Sequence, residues 1–262
     1  MKRVRLDSLL SQRGLFSSRS RAAASVLAGD VLLLPGRRRA HKPGELVPPD
    51  VQVEVTAPPP FVSRGGIKLA NALDALTLEV QGRRALDVGA STGGFTDCLL
   101  QRGAAHVVAL DVAYGELDWR LRGDPRVTVL ERRNARALDA EELPYRPDLI
   151  VIDASFISLT KILPAVLATA APRFDCLALV KPQFEAGREH VGKGGVVRDP
   201  AVRREALVSA GRCALELGAS VLGYAGSGLP GPKGNLETFL WLAEDGRGPA
   251  VDLDRAAAEV EP

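Results

Sequence analysis

The stretch Ala85-Leu-Asp-Val-Gly-Ala-Ser-Thr-Gly-Gly-Phe-Thr-Asp97 decides how the chain folds. It opens with the apolar run Ala85–Val88, which predicts a buried strand, and passes through three glycines into a helix that contains Cys98 and Leu99. Glycine lets a ligand approach the backbone closely at such a turn, and the helix N-terminus offers N–H groups to it. The stretch therefore predicts a ligand-binding turn between a strand and a helix.

Short apolar runs recur along the chain and alternate with helix-length segments, a pattern typical of strands buried on both faces of a parallel sheet. These runs are Ala85–Gly89, Val107–Asp111, Val127–Leu130, Asp148–Asp153 and Cys176–Val180. Two later runs, Ser220–Tyr224 and Thr238–Leu242, are joined by a Gly/Pro loop without a helix, which indicates an antiparallel pair at the sheet edge. The order predicts an α/β fold with a doubly wound, Rossmann-like sheet.

The composition excludes several classes of protein. With 262 residues, 46% apolar and 25% charged, the chain can bury a core, so overall disorder is not expected. Its three cysteines are widely spaced and lack a CxxC pair, which argues against a disulfide framework or a zinc site. The N-terminus lacks the apolar segment of a secretory signal, and no apolar run approaches the roughly 20 residues that span a bilayer. We expect a cytoplasmic protein without a membrane partner.

Positive charge is concentrated at the start of the chain. Residues 1–45 carry ten basic and three acidic side chains, a net charge of +7, so the rest of this +2 chain must carry −5. Such a module binds polyanions because each phosphate contact releases a condensed counterion, although a merely solvated basic face would show the same charge. Helical spacing over residues 3–14 and 19–28, followed by apolar residues at 31–34 and 51–55, predicts a small α+β domain.

The proline-rich segment 57–62 is typical of a stiff linker. It divides the chain into a domain over residues 1–56, a second domain over residues 63–246 and a polar tail over residues 247–262, for which a frayed helix stays an alternative. Contacts to a nucleic acid are expected mainly from the basic module and from one arginine just beyond the linker. These residues are Arg3, Arg5, Arg13, Ser18, Arg19, Arg21, Lys42 and Arg64.

Asp111 ends the strand that follows the glycine-rich turn, about 20 residues downstream, where a carboxylate accepts hydrogen bonds from ribose hydroxyls. The glycine-rich turn and Asp111 together predict an adenosine-containing cofactor. The alternative is that the glycines only form a tight turn and bind no ligand. Ser91 replaces the second glycine of the NAD-binding pattern G-x-G-x-x-G, which, with Asp87 before the turn, favours S-adenosylmethionine. Expected cofactor contacts are Gly89, Ala90, Ser91, Thr92, Gly93, Gly94, Phe95, Asp111, Val112 and Asn134.

Ionisable residues mark the ends of three strands that should meet at one rim of the sheet. Asp153 and Lys181 each follow an apolar run, Glu237 precedes the last one, and Lys68 begins a helix before the first strand. Taken singly, each is more simply a solvated strand end. Together they suit methylation of a ribose 2′-hydroxyl, in which a lysine takes the hydroxyl proton and the carboxylates orient the lysines. This chemistry requires no metal, and His41, His106 and His190 are scattered without ligand spacing.

Six segments of the chain resemble the TlyA family of RNA 2′-O-methyltransferases, also labelled haemolysins, over nearly its full length. The segments are Val62-Ser-Arg-Gly with Lys68, Leu86-Asp-Val-Gly-Ala-Ser-Thr-Gly-Gly-Phe-Thr96, Asp153-Ala-Ser-Phe-Ile-Ser-Leu159, Val180-Lys-Pro-Gln-Phe-Glu185, Gly194-Gly-Val-Val-Arg-Asp199 and Pro230-Gly-Pro-Lys-Gly-Asn-Leu-Glu237. The resemblance implies a catalytic tetrad of Lys68, Asp153, Lys181 and Glu237, with S-adenosylmethionine as the cofactor.

The resemblance also implies an N-terminal RNA-binding domain similar to one in a small-subunit ribosomal protein and in some pseudouridine synthases. The implied substrate is cytidine ribose in ribosomal RNA of the large subunit and, for members with the full N-terminal domain, of the small subunit. The chain departs from the pattern at the linker, where Pro59-Pro-Phe61-Val62 stands in place of Arg-x-Trp-Val. Any role of that arginine and tryptophan in coupling the domains is therefore not carried over.

Other functions compete with this interpretation. An NAD-dependent oxidoreductase would share the turn and Asp111 but would not explain Lys68 and Lys181. A membrane-lysing protein needs an amphipathic membrane-active segment, and none stands out. An RNA-binding ribosome-assembly factor is compatible with every feature and could coexist with catalysis. For the glycine-rich segment 187–195, a mobile substrate loop and a plain surface loop are equally consistent with the sequence.

Overall fold

The computed structural model describes residues 3–16, 18–56, 60–231 and 233–261, except for the side chain of Arg21. The chain forms two compact units, residues 1–60 and 61–262. Linker residues 57–59 and the expected RNA contact of the Arg21 side chain lie outside the described part, so both stay predictions. Within the described ranges, every helix falls short of the length and apolar character that a membrane span requires.

Over its described residues, the N-terminal unit consists of two helices and two small antiparallel sheets. Strand β2 is the centre of a three-stranded sheet between β3 and β5, and β1 pairs with β4. The first helix is shorter than the spacing predicts, because Val4 and Arg5 pair with Leu46 and Val47 instead of joining it. The elements are β1 (Val4–Arg5), α1 (Leu6–Gln12), α2 (Arg19–Ala28), β2 (Val31–Leu34), β3 (Arg38–Arg39), β4 (Leu46–Val47) and β5 (Gln52–Val55).

A small apolar core holds the N-terminal unit together. Leu6 and Leu10 of α1 are fully buried and pack in one cluster with Val26 of α2 and Val31 of β2. Burying an aliphatic side chain of this size contributes about 1.5–3 kcal/mol, so four such residues suffice to anchor both helices on the sheet. The basic side chains are thereby left on the outside of the unit.

In the part that the structure describes, the C-terminal unit contains one seven-stranded sheet with an apolar cluster on each face. Its elements are α3 (Arg64–Ala75), β6 (Arg84–Val88), α4 (Gly94–Gln101), β7 (His106–Asp111), α5 (Trp119–Arg122), β8 (Val127–Glu131), β9 (Leu149–Ile152), α6 (Leu163–Ala168), β10 (Asp175–Val180), α7 (Pro182–Glu185), α8 (Pro200–Glu216), β11 (Ser220–Gly226), β12 (Thr238–Ala243) and α9 (Leu253–Val260). Short 3₁₀ turns lie at Ala135–Ala137, Ala140–Glu142, Leu159–Lys161 and Arg188–His190. All seven predicted strands are present.

The strand order is β11-β12-β10-β9-β6-β7-β8. Strands β10, β9, β6, β7 and β8 run parallel, whereas β12 is antiparallel to both of its neighbours. The predicted Rossmann-like sheet and its antiparallel edge pair are therefore confirmed. The order of the strands reverses at β6, between β7 on one side and β9 on the other, and ligands bind at such a reversal in open α/β sheets.

Strand β9 shows why the centre of the sheet reads as an unbroken apolar run. Its residues Leu149–Ile152 are all fully buried. Ile150 and Ile152 pack in the cluster on one face of the sheet, and Leu149 and Val151 pack in the cluster on the other. Successive side chains of a strand point to opposite faces, so a strand covered by helices on both sides must be apolar at every position.

The segment 247–262, interpreted as a polar tail, contains the helix α9 and is part of the fold. Ala257 of α9 is fully buried in the same cluster as Ala210 and Ala214 of α8. An ion pair between Arg203 Nε of α8 and Oε1 of Glu261, which follows α9, joins the two helices at a distance of 2.5 Å. The few apolar residues of α9 share one helical face. The polar composition of the segment does not reveal so short an amphipathic helix.

Replacing Ala257 with aspartate should lower the free energy of unfolding by about 2 kcal/mol or more, because it buries a charge without a partner between α8 and α9. Urea unfolding followed by circular dichroism measures the effect. Glu259→Gln is the matched control, since Glu259 is exposed on the same helix. Equal unfolding midpoints for the two variants would show that α9 does not pack on the unit in solution.

Candidate active site

The glycine-rich turn brings the ends of two strands together. Gly89 follows β6 with φ +85°, and a Cβ at this position would lie 2.7 Å from the carbonyl oxygen of Asp153, which follows β9. The Asp153 N–H donates to the carbonyl oxygen of Val88 at 2.9 Å. Gly93, with φ +96°, precedes α4, and a side chain there would overlap Leu121. Glycine is therefore required at both positions by backbone conformation and by packing.

Asp111 holds the turn from the end of β7. Its Oδ2 accepts a hydrogen bond from the Ser91 N–H at 2.7 Å, and its Oδ1 accepts one from the Ala113 N–H at 2.8 Å. The sequence predicts this carboxylate as a partner for ribose hydroxyls, and the structure adds that it also shapes the turn. Each carboxylate oxygen has a second lone pair, so both roles are compatible.

Two cavities of about 490 and 370 Å³ lie over this end of the sheet and share Gly89, Ser91 and Asp153 in their walls. Expected cofactor contacts in the larger cavity are Gly89, Ser91, Asp111, Val112 and Asn134. In the smaller cavity they are Gly89, Ala90, Ser91, Thr92, Gly94 and Phe95. Of the ten expected contacts, Gly93 packs against Leu117 and Leu121 instead. The carboxylate of Asp111 and the apolar side chains of Val112 and Ile162 fit the ribose and base of an adenosine.

Lys68 and Glu237 form the first of two ion pairs at this rim. Lys68 lies in the second turn of α3, which begins after the N-cap Ser63, and Glu237 directly precedes β12. Lys68 Nζ lies 2.5 Å from Glu237 Oε2, and both side chains are nearly buried. Since Val180 pairs with Thr238, antiparallel register places Glu237 beside the end of β10, where Lys181 follows.

Lys181 and Asp153 form the second pair. Lys181 Nζ lies 2.6 Å from Asp153 Oδ1 and donates to Ser155 Oγ at 2.9 Å. The Lys181 side chain is 10% exposed and that of Asp153 is 24% exposed, so this pair is the more open of the two. Lys68 and Asp153 line the same smaller cavity. The four predicted residues therefore meet at one rim as two lysine–carboxylate pairs.

Asp87 is a buried carboxyl whose environment the sequence does not reveal. It is fully buried in β6, and its Oδ2 accepts hydrogen bonds from the N–H of Thr96 at 2.9 Å and from Thr96 Oγ1 at 2.7 Å. Burial raises the pKa of Asp87 to about 7, the hydrogen bonds from Thr96 oppose that rise, and the nearby charge of Asp153 adds to it. Strand β6 is thus attached to α4 by a carboxyl whose pKa is raised to about 7.

The loop after β9 carries an exposed aromatic ring into the larger cavity. Phe156 is 91% exposed, has a left-handed backbone (φ +63°), and its ring lies 5.2 Å from that of Phe184. Glu185 anchors the loop by accepting hydrogen bonds from Ser158 Oγ at 2.6 Å and from the Leu159 N–H at 2.9 Å. Ser155 and Phe156 were not predicted as site residues, although they lie two and three positions after the predicted strand-end residue Asp153.

The loop between β11 and β12 is attached to its surroundings by side chains. Arg64, expected to contact RNA, donates to the carbonyl oxygen of Pro230 at 3.0 Å, and Asn71 of α3 donates to that of Ser227 at 3.0 Å. The buried amide of Asn235 accepts from the Val197 N–H and donates to the Gly195 carbonyl oxygen. The glycine-rich segment is therefore tied at Gly195 to the loop that carries Glu237.

The residues of the N-terminal unit that were expected to contact RNA differ in their partners. Asp7, buried between α1 and α2, pairs with Arg5 at 2.8 Å and with Arg19 at 3.0 Å, which holds the pKa of its carboxyl well below the usual range. Arg13 instead donates to the backbone carbonyl oxygens of Pro49 and Val51. Arg3 and Lys42 are exposed, and Ser18 directly precedes α2.

Among the described parts of the chain, no group of three or more His, Cys, Asp or Glu side chains is arranged to hold a metal ion.

Replacing Asp87 with asparagine should flatten part of the pH dependence of stability. The unfolded carboxyl loses its proton near pH 4 and the folded one near pH 7, so in this window the folded state binds more protons and its stability falls as pH rises. The amide keeps the neutral form at every pH. Urea unfolding of both proteins at pH 4–7 should give a stability difference that shifts in favour of the variant as pH rises; parallel curves would contradict the raised pKa.

Comparison with known proteins agrees with this geometry. The family model described as FtsJ-like methyltransferase matches residues 61–244. The 16S/23S rRNA (cytidine-2′-O)-methyltransferase TlyA of Mycobacterium tuberculosis is 51% identical over 92% of this chain and 90% of its own length. Hemolysin A of Brachyspira hyodysenteriae is 39% identical over 89% and 97%, respectively. A solved structure of a hemolysin-named protein from Streptococcus thermophilus superposes with a TM-score of 0.75 at 38% identity, covering 99% of this chain and 96% of that one. The chain belongs to the TlyA family of FtsJ-like methyltransferases.

Proposed function

We propose that this chain transfers the methyl group of S-adenosylmethionine to the ribose 2′-hydroxyl of cytidine in ribosomal RNA of the large subunit, with the small subunit as a second substrate. The observation that carries the proposal is the meeting of the Lys68–Glu237 and Lys181–Asp153 pairs at the rim of a cofactor-sized crevice. The names of relatives that are 51% and 33% identical support the substrate, since both are called rRNA cytidine-2′-O-methyltransferases.

S-adenosylmethionine, when bound, supplies a methyl group on a positively charged sulfur. Asp111 would accept hydrogen bonds from its ribose, and Val112 and Ile162 would contact its adenine in the larger cavity. Thr92 and Phe95 would contact its amino-acid end in the smaller one. This placement follows from the chemistry of the lining residues.

Lys181 is the residue best placed to take the hydroxyl proton. Its pair with Asp153 is the more open of the two, and Asp153 lines both cavities, whereas Lys68 is held by a carboxylate that is only 1% exposed. The Lys181 ammonium first loses a proton to solvent; then, as the 2′-oxygen bonds to the methyl carbon, the carbon–sulfur bond breaks with its electron pair left on sulfur, and the hydroxyl proton passes to the neutral Lys181 Nζ. Lys68 and Glu237 would position the acceptor ribose.

Two features suit an RNA substrate in particular. The exposed ring of Phe156 offers a stacking surface beside the larger cavity for a base taken out of a helix. In the N-terminal unit, Asp7 fixes Arg5 and Arg19 next to each other while about half of each arginine side chain stays exposed. Two guanidinium groups held in this way can contact phosphate with little further loss of side-chain freedom.

Replacing Lys181 with alanine should reduce methyl transfer at least about 100-fold, since a positioned base contributes that much to proton transfer. Labelled S-adenosylmethionine, separated ribosomal subunits and mapping of alkali-resistant cytidines measure the effect. Lys161→Ala is the matched control, because Lys161 is an exposed lysine of a 3₁₀ turn away from both ion pairs. Cofactor binding without transfer to either subunit or to free rRNA would instead favour a binding role in ribosome assembly.

Replacing Asp7 with asparagine should weaken RNA binding several-fold although it makes the chain more positive, because Arg5 and Arg19 lose the carboxylate that positions them. Glu54→Gln adds the same unit of charge and frees the exposed Arg37, so it serves as the matched control. Fluorescence anisotropy with an rRNA fragment over a salt series, on samples checked for folding, compares the two. Equal affinity and salt slope would remove the Arg5–Arg19 pair from the RNA surface.

A further inference from the structure

The amine of Lys181 has two oxygen partners that come from one short loop. Asp153 Oδ1 lies 2.6 Å and Ser155 Oγ lies 2.9 Å from Nζ, and both residues follow β9. The lysine side chain is only 10% exposed, so its environment is largely set by these two contacts. The reaction proposed above uses Asp153 as the charged partner of the lysine and leaves the hydroxyl of Ser155 without a role.

A neutral lysine amine has two N–H bonds and one lone pair in tetrahedral arrangement. With a single acceptor, rotation about the Cε–Nζ bond can place either the second N–H or the lone pair toward the substrate. Here Ser155 Oγ accepts from one N–H bond, the negative charge of Asp153 attracts the other, and the lone pair is confined to the remaining direction. A proton acceptor needs this confinement because positioning of the reacting groups supplies much of the rate.

We propose that Ser155 is a positioning residue that, together with Asp153, fixes the rotation of the Lys181 amine and aims its lone pair at the 2′-hydroxyl of the substrate. The inference rests on the function proposed above. The hydroxyl of Ser155 accepts a hydrogen bond from the amine throughout, and the proton taken from the substrate stays on Lys181 Nζ. Ser155 therefore acts through the lysine and exchanges no proton of its own.

The surroundings of Ser155 separate this role from a role in folding. Ser155 is exposed and belongs to no apolar cluster, so the loss of its hydroxyl removes no core contact. The loop itself is held elsewhere, by the hydrogen bonds from Ser158 and Leu159 to Glu185. An alanine at position 155 should therefore leave the loop in place and change only the freedom of the lysine amine.

Ser155→Ala should lower the single-turnover rate constant of methyl transfer about 10- to 100-fold, while KM for S-adenosylmethionine and for RNA changes less than about threefold. Ser155→Thr, which restores a hydroxyl, should recover most of the rate. Ser220→Ala, at the far end of β11, is the matched control. An unchanged rate in Ser155→Ala, or a loss confined to KM for the cofactor, would overturn the proposal.

A second measurement does not depend on finding the substrate. The chain has seven lysines, so ¹⁵N-labelled lysine gives few side-chain signals, and Lys181 is identified by the signal that Lys181→Arg removes. Exchange of its Nζ protons with water should be faster in Ser155→Ala than in the native protein or in Ser220→Ala. Equal exchange would overturn the positioning role even in an active enzyme. Faster exchange in a protein that methylates no RNA would refute the proposed function alone.

Discussion

The site depends on the close approach of β6 and β9 at the point where the strand order of the sheet reverses. Gly89 makes this approach possible, because any side chain there would meet the Asp153 carbonyl group. The same contact places Asp153 between the two cavities and within reach of Lys181 on the next strand. The glycine-rich turn and the Lys181–Asp153 pair thus depend on the same backbone arrangement, and a substitution at Gly89 would disturb both.

The two ion pairs are better explained by a role in the reaction than by a contribution to the stability of the folded protein. A buried lysine–carboxylate pair is seldom more stabilising than apolar side chains of similar volume, because both charges lose their hydration. Here the pairs lie at the rim of an otherwise apolar sheet. Their members come from elements that are far apart in sequence, since Lys68 lies near the start of the C-terminal unit and Glu237 near its end. The presence of both pairs at this rim fits a reaction in which a lysine accepts a proton and the substrate ribose is held in place.

The strand pattern, the turn and the strand-end residues could all be predicted from the sequence. A strand covered on both faces is apolar at every position, and parallel strands end at one rim, so Asp153 and Lys181 could be placed together before any coordinates. For the tail after Gly246 the sequence left a frayed helix open but did not predict that α9 packs on the unit, because only Leu253, Ala257 and Val260 make its apolar contacts within a polar segment. The hydrogen bonds that Thr96 donates to the Asp87 carboxyl were also beyond prediction, since they depend on how the turn folds back onto β6.

The sequence by itself determined the sheet, the position of the turn and the types of residue that gather at its rim, because these follow from hydrophobic periodicity and from the parallel direction of the strands. Only the tertiary structure decided which charged side chains pair with each other. It pairs Lys68 with Glu237 and Lys181 with Asp153, adds Ser155 to the second pair, and joins Arg5 to Arg19 through Asp7. Hydrogen-bond partners are set by distances of a few ångströms between elements that are remote in sequence, and residue spacing along a chain does not encode them.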